Sequence, residues 1–486
     1  MNHNVLKKAL GILCLVFFSI LLLIPCITLV LMAFKNYKLI SGLFGSPYVG
    51  FSNIQKLLHS TGFIQVLKNT LNINILSMAI GAIYLFAAFL AINVFQNRII
   101  RAFVALIFAL PAVLPLNTYN LVLQTFLPTE FLVSSSPLLQ IIAAAEGGLR
   151  FSAIFVIAAL FSKGESVPHA QKYVLLFIAM KLIHILVTDT GFLNTFYNPL
   201  TYEHLDTYST YKFRLGLMQS QFSSYAAGYV VQLLIQLLPA LLGIFIVASP
   251  HRKQQEASYQ AYDSGNRVYL PCMLFAALPI ALLLLVWKAG ADGSLAFSLP
   301  RIRQAYAYGF LTAAVSAIVI VSVGLLLAIA CVYLGSIGIG ITAALYFLSD
   351  NLLGPYMVGR TLGTYDTIFG ILVQNFHLVL PIAIIAFKIL REHRRKNLLP
   401  ALAVSSLSLA FAWFWGDHTA ALITLRSAEK QPLSLAMHQL LNQPAATAMP
   451  GYPDAVTLSA ALYILIPILV TGFGFLAGSL LLKKYE

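Results

Sequence analysis

The chain has 486 residues, of which 59% are apolar and 9% charged, with 30 Lys and Arg against 16 Asp and Glu. A soluble globular protein carries about 25% charged residues, so this composition and its long uncharged runs place the chain in a bilayer and exclude a soluble enzyme, a secreted disulfide scaffold and a disordered chain. Long apolar runs also argue against a β-barrel, and the net charge of +14 sits mostly in short loops, where the positive-inside rule accounts for it without nucleic acid.

Lys7 and Lys8 precede an apolar run from Ala9 to about Phe34. A signal peptide has a shorter apolar region and a small-residue cleavage site, so this run reads as a first helix that is retained. Hydropathy then predicts an all-α polytopic membrane protein with twelve spans. Six fall near 9–33, 70–94, 102–126, 137–161, 172–190 and 223–248, and six near 268–287, 306–333, 338–358, 367–388, 399–416 and 457–482. An inside N-terminus puts both termini in the cytoplasm of a bacterial cell. Short cytoplasmic loops then hold 16 of the 30 basic residues, and the outer loops hold eight of the sixteen acids. The polar loop 249–267 divides the chain into a first half, 1–248, and a second, 268–486, as expected of transporters built from repeats. Cys14, Cys26, Cys272 and Cys331 all lie in apolar runs without metal-ligand spacing, and read as inert thiols.

Certain outer-loop motifs recur in order. The first loop contains Phe34-Lys-Asn-Tyr37 and Ser46-Pro-Tyr-Val-Gly-Phe51-Ser-Asn53, followed by Phe63 and Asn69-Thr-Leu71. Later come Tyr197-Asn-Pro-Leu-Thr-Tyr202, Asp206-Thr-Tyr208, Tyr211 and Arg214-Leu-Gly-Leu217. This half resembles the maltose-type F partner of type I ABC importer permeases for carbohydrates, in the subgroup associated with oligosaccharide and polysaccharide uptake. In the second half, Leu362-Gly-Thr-Tyr-Asp-Thr367, Gly370-Ile-Leu372, Trp413-Phe-Trp-Gly-Asp417, Ala421-Leu-Ile-Thr-Leu425 and Pro432-Leu433 resemble the G partner, with Gly416 where that partner has Asn. The resemblance implies two fused six-helix permease halves, a separate ABC ATPase and an extracytoplasmic solute-binding protein as partners, and no cofactor of the chain's own.

One feature of that family is missing. Each permease subunit carries a cytoplasmic Glu-Ala-Ala loop, with a later Gly and Leu-Pro, that docks on the ATPase. Here the corresponding loops are Ser162-Lys-Gly-Glu-Ser-Val-Pro-His-Ala-Gln171 and Arg391-Glu-His-Arg-Arg-Lys-Asn397. Neither contains the motif, and each is too short for two helices and their turns. A similar string beginning at Glu256 has the wrong spacing and position.

Ionisable residues inside spans are expensive and mark functional sites by default. Glu146 and Arg150 share one helix face at i, i+4, with Lys181 and His184 in the next span; the alternative is a structural ion pair or a helix end. Asn117, Asn120 and Gln124 share a face of the third span, where amides also glue helices together. Asp350 and Asn351 precede Gly354-Pro355, where a helix break could line a cavity. Trp413 and Trp415, with Phe414 and Tyr365, could stack on sugar rings or form an interfacial belt. Arg391, Arg394, Arg395 and Lys396 could dock a partner or simply set topology. The chain has no Walker-type loop and no His-Glu-x-x-His, and no nucleophile–base constellation stands out, so it is not expected to be an enzyme. Two functions remain from these residues: a membrane-spanning subunit of a carbohydrate ABC importer, or a degenerate permease acting as a non-transporting scaffold or sensor.

Overall fold

Backbone in hydrocarbon must satisfy its own hydrogen bonds, and the apolar runs do so as helices. The computed structural model describes residues 3–119, 122, 137–162, 167–188, 193, 201–249, 269–291, 300–392, 397–441 and 452–482. Among them there is no strand, only two isolated bridges, Lys35 to Tyr48 and Lys38 to Gly42. Besides the short helices Gly42–Gly45, Ser52–Leu58 and Tyr202–Leu205, the first half contains α1 (His3–Ala33), α2 (Phe63–Val94), α3 (Arg98–Val113), α4 (Pro137–Ala153), α5 (Val156–Phe161), α6 (Val167–Ile183), α7 (Tyr208–Phe213), α8 (Phe222–Ile235) and α9 (Leu237–Ala248). The second comprises α10 (Tyr269–Ala291), α11 (Pro300–Leu348), α12 (Leu353–Thr361), α13 (Ile368–Asn375), α14 (Val379–Glu392), α15 (Leu398–Gly416), α16 (Thr419–Thr424), α17 (Leu433–Leu441) and α18 (Tyr452–Leu481). Apart from Ser249, the expected linker lies outside the described residues.

Among the described residues, seven helices are long and apolar enough to cross a membrane, or eight counting the bent pair α8 and α9. Two places depart from straight rods. α8 and α9 meet at 61°, where Pro239 in the first turn of α9 cannot donate back to α8. α11 is not one rod either. The Cys331 sulfur lies 3.2 Å from Thr342 Oγ1, eleven residues on, a separation that a straight helix would stretch to about 16 Å. The chain folds back at Gly335, whose φ of 65° and ψ of −141° suit only glycine. The first limb covers the predicted span 306–333, whereas the second ends at Leu348 and covers only the start of the predicted span 338–358.

The same set of packings occurs twice. α2 packs on α4, and α11 on α14. α6 packs on α9, and α15 on α18. Each half's opening helix crosses to the other half: α1 lies on α11, and α10 lies on α2 and α3. α3 meets α18, and α9 meets the short limb of α11, with Gly340 against Ala248. The largest buried cluster runs through both halves, from Phe89 and Phe155 to Phe387 and Phe475.

Candidate functional site

Close contact between α2 and α4 sets the first wall. A Cβ on Gly148 would stand 2.5 Å from the Ser77 carbonyl oxygen, and one on Gly81 would stand 2.7 Å from that of Gly148. Small residues let membrane helices approach to backbone contact. Two residues either side of Gly148 stand Glu146 and Arg150, both buried, with Nη1 3.6 Å from Oε1. The guanidinium stacks on Trp413 of α15, 4.4 Å from the ring centroid, so a cation of the first half lies on an aromatic face of the second.

These residues wall a cavity of about 320 Å³ between the halves. α2, α4 and α6 supply Asn74, Glu146 and Lys181; the second half supplies Asp350, His377 and Trp413. Lys181 Nζ donates to Ser77 Oγ at 3.1 Å and sits 5.3 Å from the Phe151 ring centroid. Much of the remaining wall is apolar, as in pockets that orient a ligand through a few polar groups.

The far end of the cavity is a helix break. α11 stops at Leu348, and α12 begins at Leu353, leaving carbonyls and N–H groups that need partners. First-half side chains provide them. His184 Nε2 donates to the Tyr346 carbonyl at 2.6 Å. Tyr229 Oη and Cys26 Sγ donate to that of Leu348, at 2.6 and 3.1 Å. Tyr225 Oη accepts from the Leu352 N–H at 2.8 Å. Gln374 Nε2, from the second half, closes the set by donating to the Leu352 carbonyl at 2.9 Å. Irregular backbone at this depth is tolerated where protein buries it or where it lines a cavity, and this segment does both.

Asp350 stands inside the break. Its Oδ2 lies 3.2 Å from Lys212 Nζ and accepts from Gln232 Nε2 at 2.9 Å. Lys212 Nζ also donates to Gln232 Oε1 and lies under 6 Å from the rings of Tyr208 and Tyr225. An acid of the second half is thus matched by a buried cation and an amide of the first. A smaller chamber of about 170 Å³ opens on the same group and shares Arg150, Asp350, His377 and Trp413 with the larger one. Its further polar lining includes Ser209, Asn375 and Asp417, and Asn375 Nδ2 donates to Asp417 Oδ2 at 3.2 Å.

The structure therefore brings Glu146, Arg150, Lys181, His184, Asp350 and Trp413 to one cavity. It places two other candidates elsewhere. Asn117 is buried and donates from Nδ2 to the Ser434 carbonyl at 2.7 Å. Trp415 is neither belt nor cavity wall. It is buried against Phe411 and Tyr463, and its indole N–H donates to the Tyr463 carbonyl at 2.9 Å. One residue per 100° of helix turn separates the faces of Trp413 and Trp415 by about 200°, which is why only one of them can reach the cavity. Asn120, Gln124, Arg394, Arg395 and Lys396 lie outside the described residues; Arg391 is exposed at the end of α14, beside the Phe387 ring.

Lys212, Gln232 and His377 were absent from the sequence candidates. Lys212 reads as an ordinary outer-loop charge, because nothing in Tyr211-Lys-Phe213 announces that α7 turns inward. Gln232 carried a usable signal: with Gln236 it forms a pair of amides inside an otherwise apolar span.

Outside the cavity, the motif 362–367 forms a clamp. Asp366 accepts from the N–H groups of Arg426 and Ser427 at 2.9 and 3.0 Å, from Ser427 Oγ at 2.6 Å and from Lys430 Nζ at 3.0 Å. The Ser427 hydroxyl first, then the backbone N–H groups and Lys430, hold its carboxyl well below the usual carboxylate range.

No protein-family model matches the chain, and no curated protein matches it. Two solved structures are similar in part. One is a bacterial alginate ABC transporter in complex with an alginate pentasaccharide-bound periplasmic protein, 22% identical, covering 41% of this chain and 83% of that one at a TM-score of 0.35. The other is a bacterial ABC transporter involved in import of the acidic polysaccharide alginate, 23% identical, covering 44% and 86% at a TM-score of 0.37.

Proposed function

We propose that the chain is a fused pair of permease halves forming the membrane pathway of a carbohydrate import system of the ABC type. The observation that carries this reading is the polar cavity between two halves that repeat the same helix packings. A charged group buried at membrane depth costs several kcal/mol unless it is paired or hydrated, and this cavity gathers four charged side chains, Glu146, Arg150, Lys181 and Asp350, and two histidines from both halves. The ordered outer-loop motifs support a carbohydrate as solute, delivered by an extracytoplasmic binding protein. Glu146, Arg150, Lys181, His184, Asp350 and Trp413 are the residues proposed to meet it, with Lys212 added.

A second reading has its own support. Only residues 162–166 separate α5 from α6, and only residues 393–397 separate α14 from α15. Five residues cannot form a pair of docking helices at 1.5 Å rise per residue. ATP-driven movement needs a rigid element to act on, since a partner shifts an equilibrium only through differential contact with the two states. This favours a permease-derived scaffold or sensor.

Purification of the tagged chain in mild detergent, with mass spectrometry of co-purifying proteins, separates the two. Stoichiometric recovery of an ABC ATPase is expected for the transport reading. Recovery of a binding protein or a glycan-handling membrane protein, with no ATPase, refutes ATP-driven import and leaves the scaffold.

A further inference from the structure

The segment that follows α1 is built inside out for a water-facing loop. Its polar groups are spent internally. Asn53 Nδ2 donates to the carbonyls of Ala33 and Lys35 at 2.9 and 3.0 Å, tying the segment to the end of α1. Backbone bonds join Asn36 to Pro47 and Val49 to Phe34, Lys35 Nζ donates to the Leu43 carbonyl, and the Tyr37 N–H reaches Ser223 Oγ of α8. With the backbone so fixed, the apolar side chains point away from the protein. Ile40 is fully exposed, Phe44 is 88% exposed and Tyr48 is 72% exposed. Large apolar side chains this exposed, carried on a frame tied by its own hydrogen bonds, mark a surface with a partner.

Three features identify that partner as lipid. The first is height. From Lys8 to Ala33, α1 rises about 37 Å, against about 30 Å of hydrocarbon and 40–45 Å of bilayer with its headgroups. With Lys8 at one boundary, the segment starts at headgroup level on the other side. The second is continuity, since the exposed apolar face of α1, with Ile27, Val30 and Leu31, runs directly into it. The third is charge. The chain has no Asp or Glu before Glu130, whereas Lys38 and Lys56 are exposed beside the patch. Cations flanking apolar and aromatic residues match the phosphate layer of anionic lipid.

We propose that residues 39–51 form an interfacial anchor set into the leaflet that receives the end of α1, with Ile40 and Phe44 at acyl depth and Lys38 and Lys56 among lipid phosphates. The anchor fixes α1 and, through Tyr37 and Ser223, α8, whose Tyr225 and Gln232 hold the helix break.

The test uses the full chain in vesicles of phosphatidylcholine and phosphatidylglycerol, with Phe44→Cys and, separately, Ile40→Cys carrying a polarity-sensitive fluorophore. Labelling of the unsubstituted chain gives the background, and Gln55→Cys gives an exposed reference. Expected are blue-shifted emission, quenching by lipid spin-labelled near the headgroup and loss of iodide quenching relative to position 55. Both sites are on the surface, so either variant alone suffices should the other fold poorly. Emission like that of position 55, quenched by iodide and indifferent to the labelled lipid, overturns the proposal. So does exposure that is lost only when a soluble solute-binding protein is added, which assigns the patch to protein docking.

Discussion

Removing the Lys212 ammonium is the sharpest probe of the contact between the halves. At 3.2 Å, and with an effective dielectric of about 20, its attraction to Asp350 is about 5 kcal/mol before desolvation is counted. Taking away one partner of a buried pair costs about 3–5 kcal/mol, because the other charge is left behind. Asp350 retains the Gln232 N–H and is 23% exposed in its side chain, so Lys212→Met is expected to cost about 2–3 kcal/mol. The double variant Lys212→Met/Asp350→Asn removes both charges, keeps an acceptor for Gln232, and should return to within about 1 kcal/mol of the parent. The coupling energy is then about 2 kcal/mol. That exceeds what membrane hydrogen bonds supply, about 0.6 kcal/mol on average and about 1.7 at most, so the cycle separates an ion pair from an ordinary polar contact. Equilibrium unfolding in mixed detergent and dodecyl sulfate micelles, followed by circular dichroism, measures it. Additive single-variant effects, with coupling under about 0.5 kcal/mol, would show that the two groups do not act as a pair.

Four further outcomes follow from the geometry. Thr342→Cys should form an intrachain disulfide with Cys331 under mild oxidation, scored by loss of two thiols; a continuous α11 would leave both free. Arg101 Nη2 donates to the carbonyls of Ala159, Leu160 and Ser162 at 3.1, 3.2 and 2.6 Å, so Arg101→Met should cost about 2–4 kcal/mol by the same unfolding assay. Gly148→Val, with backbone already at 2.5 Å from the added carbon, should lower the melting midpoint far more than Gly147→Val, whose neighbour is a side-chain oxygen at 3.6 Å. The Asp366 clamp has a defined pH sign. Its folded pKa is depressed, so it stabilises fully above the unfolded carboxylate value of about 3.9 and loses that effect only as pH falls through the lower folded value. Limited proteolysis of the loop should be unchanged between pH 7 and pH 5, whereas Asp366→Asn, which keeps the left-handed φ of 58° tolerable, should be cut faster at both.

The helical class and most of the cavity were legible in the sequence because hydrocarbon punishes charge. Glu146, Arg150, Lys181 and His184 stand out only against the uncharged runs around them, and the break at Asp350 is announced by Gly354 and Pro355. The same logic fails where the chain is already polar. Lys212 lies among loop residues with no penalty to betray it, and its inward position depends on α7 packing beneath Tyr225, a contact between residues 13 apart that no local pattern encodes. Trp415 shows the converse. An aromatic near a span end is compatible with an interface, a sugar or a core, and only the 200° between it and Trp413 decides. The Gly335 turn was legible as a gap between two apolar runs, whereas hydropathy passes over the bend at Gln236, because Leu237 and Leu238 continue it without a break and only Pro239 marks the place.

The contacts that hold the break also set the cost of opening the cavity. To separate the halves at this end, the chain must release the bonds from His184, Tyr229, Cys26 and Tyr225, and the Lys212–Asp350 pair. Four membrane hydrogen bonds at about 0.6 kcal/mol and a pair at about 2 sum to about 4 kcal/mol. The closed arrangement is then favoured about a thousandfold, and anything that opens it must bind the open state tighter by more than that factor. On the proposed transport reading, the five residues joining α5 to α6 and the five joining α14 to α15 leave an ATPase little surface through which to supply the difference. That reading leaves two sources of free energy within reach of the break: the proposed solute, acting on Asp350 from the cavity, or a binding protein acting on α8 from outside. A cavity whose accessibility responds to added binding protein in Lys212→Met but not in the parent would show that this lock, rather than the short connections between α5 and α6 and between α14 and α15, limits opening.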